Sequence, residues 1–295
     1  MCAAVNQEEL DRLLDSAESL PACPPVLAKI AEVCSDPTSS ARDLGNVIAT
    51  DEALTSRLIK LVNSSYYGLR GTISTVTQAV VILGYQEIRN MIYAVRAEEV
   101  FLSGQVTEGI DLLNVWDHSL RVAVLARELC YRVRYSVPEE VFVSGIIHDV
   151  GQVILNRLLG GGYREFMART HAAERDLAEA ELEEYGIDHA EVGRRMAARW
   201  DFPEALQAAV AGHHRLPESA GGPEGIAPFV LAANSVTLAR SRGKDLRASL
   251  GGLPPGVAEF LRLDYGGLEE SASAADEEYS RIRGSFDISS SGEDQ

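Results

Sequence analysis

The chain is short of cysteine, of positive charge and of long apolar runs. Its four cysteines, Cys2, Cys23, Cys34 and Cys130, are scattered through 295 residues with no Cys-x-x-Cys spacing. That pattern excludes a disulfide framework and a zinc ribbon, and it fits a reducing compartment. Lys and Arg number 27 against 44 Asp and Glu, a formal net charge of −17. Such a field repels nucleic acid and anionic lipid, so direct nucleic-acid binding is not expected. No apolar run approaches the roughly 20 residues of a bilayer span. Glu8, Glu9, Asp11 and Arg12 break up the N-terminal segment before a signal peptide can form, so the expected setting is the cytoplasm. Neither Gly-x-Ser-x-Gly nor a phosphate-cradling Gly-Lys-Ser/Thr occurs, which removes two common routes to catalysis without a metal.

What the chain does have is helical periodicity. With 46% hydrophobic residues it can build a sizeable core, as one large domain or two ordinary ones. Leu10, Leu13, Leu14 and Ala17 recur at spacings of three and four, predicting a helix over 7–19 that the prolines from Pro21 onward end. Pro24 and Pro25 open the next helix, Ser39 or Ser40 can cap a third, and Thr50 or Asp51 a fourth. Asn63 to Gly68 reads as a capping and turn segment anchored by Tyr66 and Tyr67, or as a binding loop. A long pattern from Ser74 to about Phe101 follows, with an interruption at Gly84. Leu54, Leu58, Leu61, Val80, Ile82 and Leu83 are the expected core of this N-terminal part.

Polar residues between about 100 and 110 suggest a boundary. The expected organisation is an N-terminal helix over 1–19, a helical part over 20–105, a second helical core over 106–263 and an acidic tail over 264–295. From Asp264 onward nine acids face only Arg281 and Arg283, so this tail is expected not to fold alone and to be dispensable, with its last residues disordered.

The chemistry concentrates at Gly145-Ile146-Ile147-His148-Asp149-Val150-Gly151-Gln152. An adjacent His and Asp at the end of so apolar a run point to a metal, whose charge offsets the cost of removing a carboxylate from water. The bland alternative is a helix end satisfied by its own polar groups, with Gly151 letting the chain turn. Five of the six histidines, His118, His148, His189, His213 and His214, fall at or near helical positions of the second half, and only His171 reads as an ordinary exposed residue. Taken with Asp149 they form a candidate metal cluster gathered from several helices.

The order of these residues resembles the HD superfamily of metal-dependent phosphohydrolases, and more closely its HDOD subfamily of bacterial signalling proteins. The resemblance rests on Asp51-Glu52-Ala53-Leu54-Thr55, Leu61 to Gly68, Ala79 to Gly84, Trp116-Asp117-His118-Ser119, Ile147 to Gly151, Asp188 to Gly193 and Trp200-Asp201-Phe202-Pro203, across about residues 20–240. It implies an all-α helical bundle and a regulatory role. It also implies that His118, His148 and Asp149 match ligands of a first metal, and that His189, His213 and His214 with Asp149 match a second; three imidazoles and a carboxylate suit iron or zinc before manganese. Three departures stand against turnover. Asn234 replaces the late Asp and can still ligate through its amide oxygen, though without a charge it weakens the first site; Gln152 replaces the lysine of the cyclic-dinucleotide hydrolases, and Arg215-Leu216-Pro217 replaces Gly-Tyr-Pro after the paired histidines.

Two functions follow from that resemblance. One is a non-catalytic signalling module whose pocket holds a structural or sensing metal, or none, and whose surface binds signalling proteins or a second copy of the chain. The other is a metal-dependent phosphohydrolase or cyclic-dinucleotide phosphodiesterase.

Overall fold

A computed structural model of the chain describes residues 25–64, 67–69, 71–102, 111–216 and 224–285. The expected helix over 7–19, most of the expected boundary near 100–110 and the final residues of the acidic tail lie outside the described residues. Among the described residues the regular structure is entirely helical, as the periodicity and the resemblance predict.

Five helices make the N-terminal part: α1 Pro25–Ser35, α2 Ala41–Ile48, α3 Glu52–Val62, α4 Val76–Leu83 and α5 Tyr85–Leu102. Their ends follow local chemistry. Ser40 and Asp43 form a reciprocal capping box on α2, and Asp51 caps α3 by accepting from Leu54 N at 2.9 Å. Asn63 closes α3, and its side-chain amide pairs with both the N–H and the C=O of Ile73 at 2.7 Å, so the capping reading of this segment holds for its described residues. Val76, Ala79 and Val80 face the core, while Val81 is 71% and Ile82 50% exposed. The expected core residues Leu54, Leu58, Leu61 and Val80 are buried. Ile82 is not, because an eight-residue helix buries one stripe and Ile82 lies off it.

The second part comprises α6 Leu112–Val133, α7 Pro138–Ile147, α8 Val150–Leu159, α9 Gly161–Ala172, α10 Leu177–Tyr185, α11 His189–Arg199, α12 Glu204–Gly212 and α13 Ala227–Ser241. Two short helices, α14 Leu246–Gly251 and α15 Val257–Phe260, lead to α16 Tyr265–Ile282 and a final 3-10 turn. Helix α6 is the central element: α7, α13 and α16 all pack on it. A Cβ on Gly145 would sit 2.4 Å from Ala123 Cα, so this glycine sets how closely α7 approaches α6. Buried apolar residues from Val26 to Ile282 form one continuous cluster, so the two parts share a core.

The acidic C-terminal stretch differs from its sequence expectation. Residues 265–282 form a helix with Leu268, Ala272, Ala275, Tyr279 and Ile282 buried against the rest of the fold. Charge alone is a poor guide here, because Glu269, Glu270 and Glu277 are exposed while a sparse apolar stripe faces α6.

Candidate metal centre

The site lies where α6, α7, α8, α11, α12 and α13 converge. His118 comes from α6, His148 ends α7, Asp149 precedes α8, His189 opens α11, His213 and His214 follow α12, and Asn234 lies on α13. Gly151 is in α8 rather than at the expected turn, which falls at His148 and Asp149. A Cβ on Gly151 would lie 1.9 Å from the His189 carbonyl oxygen. Its missing side chain therefore admits α11, and with it His189, to the site.

Asp149 is the hub. Its Oδ2 lies 3.3 Å from His148 Nε2 and 3.6 Å from His118 Nε2, and its Oδ1 lies 3.3 Å from His189 Nε2 and 3.6 Å from His213 Nε2. His214 Nε2 lies 2.9 Å from His189 Nε2. Two ligand-like groups result, Asp149 with His189, His213 and His214, and Asp149 with His118 and His148. Each group offers ligand atoms within 4.8 Å of one another, so all seven residues singled out in the sequence meet at one place, Asn234 through its contact with His118.

Hydrogen bonds at the far side of each ring decide what the near side offers. His148 Nδ1 contacts Gly145 O at 2.7 Å, His213 Nδ1 contacts Val210 O at 2.6 Å, and His189 Nδ1 contacts the Glu181 carboxylate at 2.6 Å. A carbonyl or carboxylate oxygen only accepts, so each Nδ1 carries the proton and each Nε2 turns a lone pair inward. His189 Nε2 and His213 Nε2 then stand 3.2 Å apart beside a carboxylate. His148 Nε2 is buried without a hydrogen-bond partner. Converging lone pairs call for a positive charge between them. A proton on His189 supplies it without metal, and a divalent cation fits the same place, bound by three imidazoles and one carboxylate.

The electrostatics agree. Burial opposes ionisation of Asp149, but His148 and His189 outweigh it and hold its pKa well below the usual carboxylate range. Burial also disfavours a charged His189, and there Glu181 and Asp149 win, raising its pKa well above the imidazole value. Burial and neighbouring histidines push His213 well down, and His214 to about 3, so both imidazoles are neutral at ordinary pH. His118 is pushed down to about 4 by burial, against the pull of Asp149.

Sequence reasoning missed Glu181. It is fully buried on α10, accepts from both the backbone N–H and Nδ1 of His189, and accepts a hydrogen bond from the Tyr163 hydroxyl on its other oxygen. A signal was available: Ala178, Glu181 and Tyr185 recur at spacings of three and four, which places a carboxylate in an apolar stripe.

A cavity of about 800 Å³ opens beside the cluster, lined among others by His118, Asp149, Gln152, His189, His214 and Asn234. His171, expected to be an ordinary exposed residue, is exposed and contributes to the lining.

A model of the HDOD domain matches residues 20–216. The chain belongs to the HDOD family. The HDOD match ends before α13, so Asn234 and α16 fall outside it. An uncharacterized protein of Treponema pallidum (strain Nichols) is 26% identical over 225 residues, which are 74% of this chain but only 41% of that protein. The chain thus spans less than half of this curated relative. Two crystal structures are similar, each at 25% identity. One, described as a candidate phosphohydrolase of Shewanella amazonensis, has a TM-score of 0.68 and covers 93% of this chain and 97% of its own. The other, an HDOD domain protein of unknown function from Geobacter sulfurreducens, has a TM-score of 0.67 and covers 92% and 96%.

Proposed function

We propose that this HDOD chain is a bacterial, cytoplasmic signal-transduction module that acts by protein–protein contact, with a degenerate HD site that holds one metal. The observation that carries the reading is the contact between His118 Nε2 and Asn234 Oδ1 at 3.0 Å. The amide occupies the ring nitrogen that a metal would need, and it brings no charge to offset a cation. Gln152 supports the same reading, since a neutral amide lines the cavity where the hydrolytic relatives place a lysine. The half built on His189, His213, His214 and Asp149 keeps its ligand set, suited to iron or zinc before manganese. A cation there would supply the charge that ties α8, α11 and α12 together. Glu181 and the Val210 carbonyl hold its imidazoles in the binding tautomer.

The second reading, a metal-dependent phosphohydrolase or cyclic-dinucleotide phosphodiesterase, is favoured by that surviving half beside a cavity of ligand size. Metal stoichiometry separates the halves. Reconstituted with zinc, the wild type should hold about one ion per chain and Asn234→Asp about two. A wild type already binding as much as the variant would remove the basis for a degenerate site.

A further inference from the structure

Helix α16 forms one wall of the cavity through Ala275, Asp276 and Tyr279, and the apolar stripe that docks it is narrow. Its buried face carries Leu268, Tyr279 and Ile282 as its only large side chains, and the remainder is Gly267, Ser271, Ala272 and Ala275. Charge does the rest. Arg132 reaches Glu270 at 3.3 Å, Arg127 reaches Glu278 at 3.4 Å, the Tyr279 hydroxyl donates to Asp117, and the Arg121 guanidinium lies 3.8 Å from the Tyr279 ring centroid. Of these, Arg132–Glu270 is largely exposed, so it stabilises weakly and is screened by salt, whereas the Arg127 and Glu278 side chains are only 5% and 16% exposed.

The pair between Arg240 and Asp276 has a particular form. Both guanidinium Nη atoms donate, one to each carboxylate oxygen, which is the two-point geometry by which arginine holds carboxylates and phosphates. Arg121 and Arg240 both line the cavity. Arg121 pairs with Asp117 at 2.8 Å and lies against the Tyr279 ring, so departure of α16 uncovers it beside Arg240. The other acids of the lining are already engaged. Asp117 is paired with Arg121 at 2.8 Å, Asp149 with the histidines, and Asp111 and Asp176 cap helices.

We propose that Asp276 occupies an oxyanion site at Arg240 and Arg121, and that a ligand bearing a phosphate or carboxylate group takes this site by displacing α16. The helix is then a pseudo-ligand, and its release converts ligand binding into exposure of a basic face of α6 and α13. The inference rests on the reading of the chain as a signalling module, for which it supplies an input.

Hydrogen–deuterium exchange on the full chain tests it, with pyrophosphate and citrate as separate probes at ionic strength matched by sodium chloride. At least one probe should speed amide exchange across 265–282 by about tenfold while α6 stays protected. Asp276→Asn should bind that probe about tenfold more tightly, and Arg240→Gln should abolish the effect. Pyrophosphate alone acting would assign the site to phosphates, and citrate alone to carboxylates. If neither probe changed exchange in the wild type or bound Asp276→Asn, or if binding survived Arg240→Gln, the proposal would be overturned. Hydrolytic activity would sink the signalling reading and leave the exchange result standing, so the two can fail separately.

Discussion

Glu181 accepts two hydrogen bonds from His189, one from its backbone N–H at 2.7 Å and one from ring Nδ1 at 2.6 Å. The carboxylate thereby fixes both the start of α11 and the tautomer that turns Nε2 toward Asp149. Removing its charge while keeping an acceptor should weaken the centre without unfolding it. Glu181→Gln is expected to bind zinc or iron about 10 to 100 times more weakly than wild type in a chelator competition. Unchanged affinity would mean that His189 does not ligate.

A half-buried carboxylate makes stability depend on pH. Burial and then Glu139 push Glu87 up to about 7, against a hydrogen bond from Tyr67. A folded-state pKa above the unfolded value near 4.5 means that protonated Glu87 favours the fold at low pH, and that this contribution fades as pH rises through about 7. Glu87→Gln keeps the neutral form throughout. Its melting midpoint relative to wild type should therefore rise between about pH 5 and about pH 8, and a constant difference across that range would contradict the assignment.

The C-terminal helix should matter to the fold, and the residues after it should not. Ending the chain after Asp264 removes the buried Leu268 and Ile282, each contributing about 1.5–3 kcal/mol before the cost of ordering the helix. The melting midpoint should fall measurably, whereas removal of residues 286–295 should leave it where it was. Equal midpoints for all three chains would make α16 as dispensable as its charge first implied.

Much of this was legible in the sequence, and the reasons differ by residue. His148 and Asp149 stand out because a polar pair ends an apolar helix, and Ser40 and Asp51 because cap chemistry is local. Glu181 escaped because its partners, Tyr163 and His189, come together only through tertiary packing, and its helix also carries Glu179, Glu183 and Glu184. The need for glycine at 151 was hidden for a related reason: it is set by the His189 carbonyl, 38 positions away, and not by a turn of its own. In α16, net charge concealed a stripe of small residues that pack.

Binding a metal without turning over a phosphodiester is what separates a signalling module from a phosphodiesterase here, and hydrolysis by the metal-loaded protein decides between them. The wild type, loaded in turn with iron, manganese and zinc, is incubated with cyclic dinucleotides and a generic phosphodiester, with Asp149→Ala as the control. No hydrolysis above that of Asp149→Ala is predicted under any loading; robust metal-dependent hydrolysis that Asp149→Ala loses would contradict the account.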